Sequence, residues 1–108
     1  MDITIAVSKA GSFRRILLSV SEKSKPVECE LSAIVKSPSG KEEIFLQSPE
    51  KILPTATYAY SGGRFVTHIA PGKYQIICQP QEGGQYKLKL VGKFAGRPFQ
   101  RELGINLD

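Results

Sequence analysis

Apolar and polar residues alternate with a period of two through the second half of the chain. On the segment Lys73–Gln79 the residues on one side are Tyr74, Ile76 and Cys78, and on Gln85–Val91 they are Tyr86, Leu88 and Leu90. This period is typical of strands with one buried and one solvent-exposed face. Pro71-Gly72 and the segment 80–84 have the composition of turns. We therefore predict an antiparallel meander of three successive strands, Arg64–Ala70, Lys73–Gln79 and Gln85–Val91.

Shorter patterns of the same kind occur along the rest of the chain. They predict strands at Ile3–Val7, Phe13–Val20, Val27–Lys36, Glu42–Gln47, Thr55–Tyr60 and Arg97–Ile105. Apolar residues on both sides of Phe13–Val20 indicate a strand away from the sheet edge. Ser48 to Pro54 is predicted to be a loop, with space for one helical turn at residues 49–52. About eight short strands without a convincing helix predict a single all-β domain over residues 1–108, an antiparallel β-sandwich.

Length and charge narrow the function classes. A chain of 108 residues builds one core and leaves little material for an elaborate active site. Its formal net charge of +5 favours anionic partners. There is no apolar run of about 20 residues, which a membrane span needs, and the first residues lack the pattern of a signal peptide. We therefore expect a cytoplasmic protein.

Few residues are suited to catalysis or metal binding. His68 is the single histidine, and the only aspartates are Asp2 and Asp108, so no triad is predicted. Cys29 and Cys78 lie on the apolar sides of their strands. They are expected to be core thiols, with a disulfide across the sandwich as the alternative. Neither a zinc nor a calcium ligand set is evident, so we expect no enzyme activity, no metal and no cofactor.

Basic residues are concentrated near the end of the chain. Between Gly83 and Arg101 there are five of them and no acidic residue. Lys9 and the pair Arg14 and Arg15 would extend this surface if the first strands lay alongside. The predicted anion-binding or partner-binding residues are Lys87, Lys89, Lys93, Arg97, Arg101, Arg14 and Arg15.

Two interpretations of this basic surface stay open. It is either a solvated face on which lysines prevent edge-to-edge pairing, or an electrostatic patch for a protein partner or for anionic lipid. Nucleic acid is not expected, because aromatic residues are few and no RNA-binding or helix-turn-helix pattern surrounds the basic residues.

One stretch resembles a known family. An apolar strand, a Pro-Gly turn, a strand containing Tyr, a loop with Pro and Gly, and an aromatic-x-Leu strand follow one another, in the segments Tyr60-Ser61-Gly62-Gly63, 69–77 and 83–88. This order is similar to the C2-like β-sandwich of calpain-type proteases, also called calpain domain III, and most of all to the fungal Rim13/PalB and animal calpain-7 type. The similarity covers about thirty residues well and the first sixty only by strand pattern. It implies a fold of the C2-like or jelly-roll type.

The resemblance has consequences for function. It implies a non-catalytic accessory domain that binds a protein partner or an anionic membrane, with partners in the ESCRT pathway or in the parent protease. Residues 78–81 depart from the family's Pro-Ser-Thr, and the loop Ser21 to Pro26 carries only Glu22 in place of an acidic calcium loop. Calcium sensing is therefore not implied. Bacterial pre-peptidase C-terminal domains share the Pro-Gly-x-Tyr and Tyr-x-Leu strands, so the alternative is an exported domain that aids secretion or binds substrate or carbohydrate.

Overall fold

The computed structural model describes residues 2–27, 29–46, 57–60 and 64–108, with backbone alone at 46, 57–60 and 64. These residues form ten strands and no helix. In chain order the strands are β1 (Asp2–Ala10), β2 (Phe13–Glu22), β3 (Lys25–Pro26), β4 (Glu30–Lys36), β5 (Glu42–Leu46), β6 (Thr57–Tyr60), β7 (Arg64–Ala70), β8 (Lys73–Cys78), β9 (Gln85–Phe94) and β10 (Arg97–Asn106). The prediction of an all-β chain is confirmed.

The strands form two antiparallel sheets. Sheet A has the order β1-β2-β8-β7-β6, with β3 added beside β2, and sheet B has the order β10-β9-β4-β5. As predicted, β2 is an internal strand, since it lies between β1 and β8. In place of about eight strands, the described ranges contain ten. Nine of them overlap the predicted segments and the tenth is the short strand β3, while β1 and β10 are longer than predicted.

The two sheets share one hydrophobic core. Every second residue of the central strands is buried, including Ile16 and Leu18 of β2, Tyr74 of β8 and Leu90 of β9. Each large apolar side chain that is fully buried contributes about 1.5–3 kcal/mol to the free energy of unfolding. The predicted inner faces of β8 and β9, which include Cys78 and Tyr86, are confirmed.

The predicted three-strand meander is wrong at its last step. β7 and β8 pair antiparallel as expected, but β9 lies in the other sheet, between β4 and β10. The segment after Cys78 carries the chain from sheet A to sheet B. The free side of β8 pairs with β2 instead. Alternation of apolar residues fixes the buried face of a strand, but it does not fix the strand's neighbour.

The Pro-Gly turn between β7 and β8 packs against the end of β2. Gly72 has a φ of +72°, as the third residue of a type II turn requires. Its carbonyl accepts a hydrogen bond from the backbone N–H of Val20, with a nitrogen–oxygen distance of 2.8 Å. A Cβ on Gly72 would lie 2.6 Å from the carbonyl oxygen of Val20 and closer still to that of Val27.

We expect Gly72→Ala to lower the free energy of unfolding by about 3 kcal/mol or more, because the substitution adds a backbone clash to the cost of positive φ. Gly11→Ala is the matched control. Gly11 also has positive φ, at +64°, but a Cβ there meets no atom within 4 Å. The control should therefore cost only about 1–2 kcal/mol. Urea unfolding of both variants measures the difference, and equal losses would contradict the packing described for this turn.

Candidate functional site

The exposed face of sheet B carries four lysines. Lys87, Lys89 and Lys93 alternate with buried residues along β9, and Lys36 lies on the neighbouring strand β4. All four are exposed, as predicted for Lys87 and Lys89. We refer to Lys36, Lys87, Lys89 and Lys93 as the lysine face.

Acidic residues from other strands lie among these lysines. Glu30 of β4 is directly opposite Lys93, and Glu102 of β10 is directly opposite Lys89. Glu42 of β5 is opposite Lys36. Opposite charges in such cross-strand positions stabilise a sheet by about 0.2–1 kcal/mol per pair. Lys36 and Lys87, in contrast, are directly opposite each other. The face therefore carries both signs of charge, with four lysines and three glutamates.

Three apolar side chains share this face with the charged residues, on β9, on β4 and on the edge strand β5. Val91 of β9 is 38% exposed and Ile44 of β5 is 42% exposed. Half-buried Ile34 lies between them on β4, directly opposite Ile44. An exposed apolar group beside charged residues is typical of a protein-binding surface. The sequence carried one signal of it, because Ile34 is the apolar residue on the polar side of the Val27–Lys36 pattern.

The other predicted basic residues lie on different surfaces. Arg97 and Arg101 alternate with Pro98, Gln100 and Glu102 on β10, so they share the face of Phe99 and Leu103 and not the lysine face. Because β1 and β2 belong to sheet A, neither arginine of β2 extends the lysine face. The expectation of one continuous basic surface is therefore wrong, and the binding role of each residue remains a prediction.

The two arginines of β2 point to opposite sides of sheet A. Arg14 lies on the inner side, and its Nε donates to the carbonyl oxygen of Asp108 at 2.7 Å. Arg15 lies on the outer side, where its Nε donates to Oε1 of Gln75 at 2.8 Å. Phe65, an exposed aromatic residue, lies in the same row of the sheet as Arg15, with Ile77 between them.

A polar cluster joins the β4–β5 turn to the β8–β9 loop. The backbone N–H of Ser39 donates to one carboxylate oxygen of Glu82 at 3.2 Å, and the Ser39 hydroxyl donates to the other. The hydroxyls of Ser37 and Ser39 lie 3.0 Å apart, and Ser37 Oγ accepts from the N–H of Lys41. The hydrogen bonds from Ser39 and Ser37 lower the pKa of Glu82 below its ordinary value, and the charge of Lys41 acts in the same direction.

Tyr86 connects this cluster to the core. Its ring is buried against the hydrophobic cluster, and its hydroxyl donates to the carbonyl oxygen of Glu82 at 2.7 Å. Burial raises the pKa of the Tyr86 phenol above its ordinary value, and the nearby Glu82 carboxylate adds to this effect. A small hollow of about 110 Å³ lies beside it, between Phe45 and Cys78. The cluster therefore fixes two loops at one end of the sheets.

His68 is part of the core. It is 1% exposed, and its ring stacks on Tyr74 with the ring centroids 4.7 Å apart and the planes 13° apart. His68 therefore lies on the buried side of β7 and is not solvent-facing, and the absence of a catalytic role remains a prediction. Both cysteines are thiols, Cys78 buried and Cys29 half-buried at the start of β4.

Two further results concern metals and membranes. In the described ranges, no group of three or more His, Cys, Asp or Glu side chains is placed to hold a metal ion. None of the described segments forms a helix with the length and hydropathy needed to span a bilayer.

Comparison of the chain with protein-family models, with curated proteins and with solved structures finds no match. The calpain-like resemblance therefore remains an expectation from the sequence.

We expect Ser39→Ala to reduce the loss of stability in acid, because it removes the largest cause of the low Glu82 pKa. A carboxyl group whose pKa is lower in the folded state stabilises the fold above the pKa of the unfolded chain. This stabilisation is lost as the pH falls through the folded-state pKa. NMR titration should show a higher Glu82 pKa in the variant, and urea unfolding below pH 5 should show a shallower decline with acid.

Glu82→Gln is the control, since it removes the titrating group and should abolish this part of the pH dependence altogether. An unchanged Glu82 pKa in Ser39→Ala would contradict the assignment of the hydrogen bonds.

Proposed function

We propose that this chain is a non-catalytic, C2-like accessory domain of a calpain-like cysteine protease, and that it binds a protein partner through the lysine face of sheet B. The observation that carries this proposal is the partly exposed apolar group of Ile34, Ile44 and Val91 on the same face as the lysines and glutamates. Calcium takes no part in the binding. The domain acts in the cytoplasm, where it positions the protease.

The charge pattern favours a protein over a membrane as the partner. An anionic bilayer attracts each nearby basic side chain by about 1 kcal/mol and repels each carboxylate to a similar extent. Four lysines share this face with Glu30, Glu42 and Glu102, so the net attraction to a uniformly negative surface is small. A protein surface can place its own acids opposite the lysines and its own bases opposite the glutamates, which gives specificity as well as attraction.

The two sheets supply what such a surface needs. The buried face of β9 holds its backbone in place, since Leu88 and Leu90 are almost wholly buried. The side chains of Lys87 and Lys89 therefore project from a fixed strand and not from a loop. A preorganised surface loses little conformational entropy on binding. The core position of His68 agrees with a role without catalysis. The resemblance suggests ESCRT-related proteins or the catalytic part of the same protease as partners.

Charge reversal by Lys87→Glu with Lys89→Glu should abolish partner binding, because it turns the basic side of the face acidic. Affinity purification from cytosol with quantitative mass spectrometry measures the proteins retained by each form. The control, Lys25→Glu with Lys73→Glu, makes the same change of charge at two exposed positions of sheet A and should retain the partners of the unaltered chain. An identical set of retained proteins for all three forms would contradict the proposal.

Ile44→Ser separates the two kinds of partner. We expect it to weaken protein binding by about tenfold, since it removes an exposed apolar contact from the face. The stability should change by less than about 0.5 kcal/mol, because the side chain is 42% exposed. Co-sedimentation with vesicles of anionic or neutral lipid, with and without calcium, is measured in parallel. Binding of anionic vesicles that is lost in Lys87→Glu with Lys89→Glu but kept in Ile44→Ser would replace the protein partner by a membrane.

A further inference from the structure

A groove lies between the first and last strands of the fold. β1 is the outer strand of sheet A and β10 is the outer strand of sheet B. The groove between them has a volume of about 650 Å³, and Ile3, Ile5, Val7, Leu103 and Ile105 are among its lining residues. A second hollow of about 540 Å³ also contacts Ile3 and Leu103 and extends past Arg101. The two hollows therefore form one groove along the side where the sheets do not close over their core.

The floor of the groove is apolar and partly open to solvent. Ile3, Ile5 and Leu103 pack against the core but are only half-buried, and Val7 is 37% exposed. In the closed part of the core, residues at equivalent positions such as Ile16 and Leu18 are 1% exposed. An added apolar side chain over Ile5 and Val7 would thus remove further apolar surface from water.

β1 is an unprotected strand edge. It has nine residues, and in the described ranges it pairs only with β2. Between Asp2 and Lys9 it carries neither a charged residue nor a proline, which are the usual means by which an edge is protected from further pairing. β10 differs, because this strand contains a proline, Pro98, and the charged residues Arg101 and Glu102. Backbone N–H and C=O groups on the outer side of β1 can therefore accept a further strand.

Basic residues outnumber acidic ones by three to two among the residues that line the groove. Lys9 and Arg14 line one end, and Arg101 lines the other. Arg97 lies further along β10 on the same side as Arg101. Asp108 and Asp2 also line the groove. Because the Arg14 Nε is held by the Asp108 carbonyl, its guanidinium has a fixed position at that end. Basic side chains at both ends attract a segment that carries acids at its own ends.

We propose that the groove binds an extended segment of a partner protein, which adds a strand to the edge of β1. The segment is about nine residues long, or roughly 30 Å, the length of β1 at about 3.3 Å per residue. Every second side chain is apolar and packs on the floor formed by Ile5, Val7 and Leu103. Acidic residues at its two ends pair with Lys9 and Arg101. Main-chain hydrogen bonds supply affinity, and the apolar and acidic positions supply specificity.

A second copy of the chain fits the groove less well. It would bring a molecule of net charge +5 to a groove that already has a basic residue at each end. The groove also lies away from the lysine face, at the opposite side of β10 from Glu102 and the lysines of β9. The two binding surfaces are therefore independent, and either proposal can fail while the other holds.

The test uses a synthetic peptide of nine residues with glutamate at both ends, in which threonine and valine alternate so that three valines and both glutamates share one face. We expect the peptide to bind the whole chain and to protect from hydrogen exchange those amides of β1 that point away from β2. The amides of β10 should exchange as before. Lys9→Glu with Arg101→Glu should weaken binding of this peptide by about tenfold or more and should favour a peptide with lysine at both ends.

The matched control is Lys87→Glu with Lys89→Glu, which makes the same change of charge on the lysine face and should leave peptide binding unchanged. Three results would overturn the proposal. They are no peptide binding at about 1 mM, protection of β10 in place of β1, and protection of β1 that rises with protein concentration without peptide, which would assign the edge to a second copy.

Discussion

The contact between the inner faces of the two sheets is the interaction on which the rest of the structure depends. No single strand can bury its apolar side alone, so Ile16 and Tyr74 of sheet A must pack against residues such as Leu90 of sheet B. This requirement fixes the direction of every side chain in the long strands, because successive residues point to opposite faces. The positions of the lysines on β9 and of the arginines on β10 are consequences of it.

The strands themselves could be predicted from the sequence to a large extent. The buried sets on β2, β4, β8 and β9 are those that the period of two indicates, and β10 begins at Arg97 as expected. Several segments differ in length, since β1 extends from Asp2 to Ala10 and β4 begins only at Glu30. Predictions for the segment 47–56 lie outside the described residues.

Strand pairing could not be predicted in the same way. Alternation of apolar residues gives each strand a buried side, and β9 would bury that side equally well beside β8 or beside β4. Nothing in residues 64–91 therefore required β9 to leave sheet A. The pairing of β9 with β10 instead follows from the short turn at Ala95 and Gly96, which both have positive φ, as a two-residue hairpin requires. The sequence shows only half of the usual pattern for such a turn. Gly96 is typical of the second turn position, but Ala95 is unusual at the first, so the hairpin was not predicted.

The candidate site shows the same limit. Residues 83–101 contain five basic and no acidic side chains, so the local sequence indicates a strongly basic surface. Strand pairing then places Glu30 beside Lys93 and Glu102 beside Lys89. Glu30 is distant from Lys93 in the sequence, and Glu102 belongs to the next strand, β10. The sequence alone was sufficient to predict the side of β10 on which Arg101 lies. Leu103 and Ile105 mark the buried side of this strand, and Arg101 follows the same spacing of two residues. Charge along a strand thus describes a surface only when the neighbouring strands are known.

The fold leaves two kinds of surface that differ in their physics. The lysine face presents side chains on a backbone whose hydrogen bonds are already made within sheet B. Its selectivity therefore depends on charge and shape, and added salt weakens its charged contacts. The edge of β1 offers backbone groups beside an apolar floor, and hydrogen bonds and buried apolar area are much less sensitive to salt. Both surfaces exist because the same alternation that fills the core leaves one face of sheet B and one edge of sheet A uncovered.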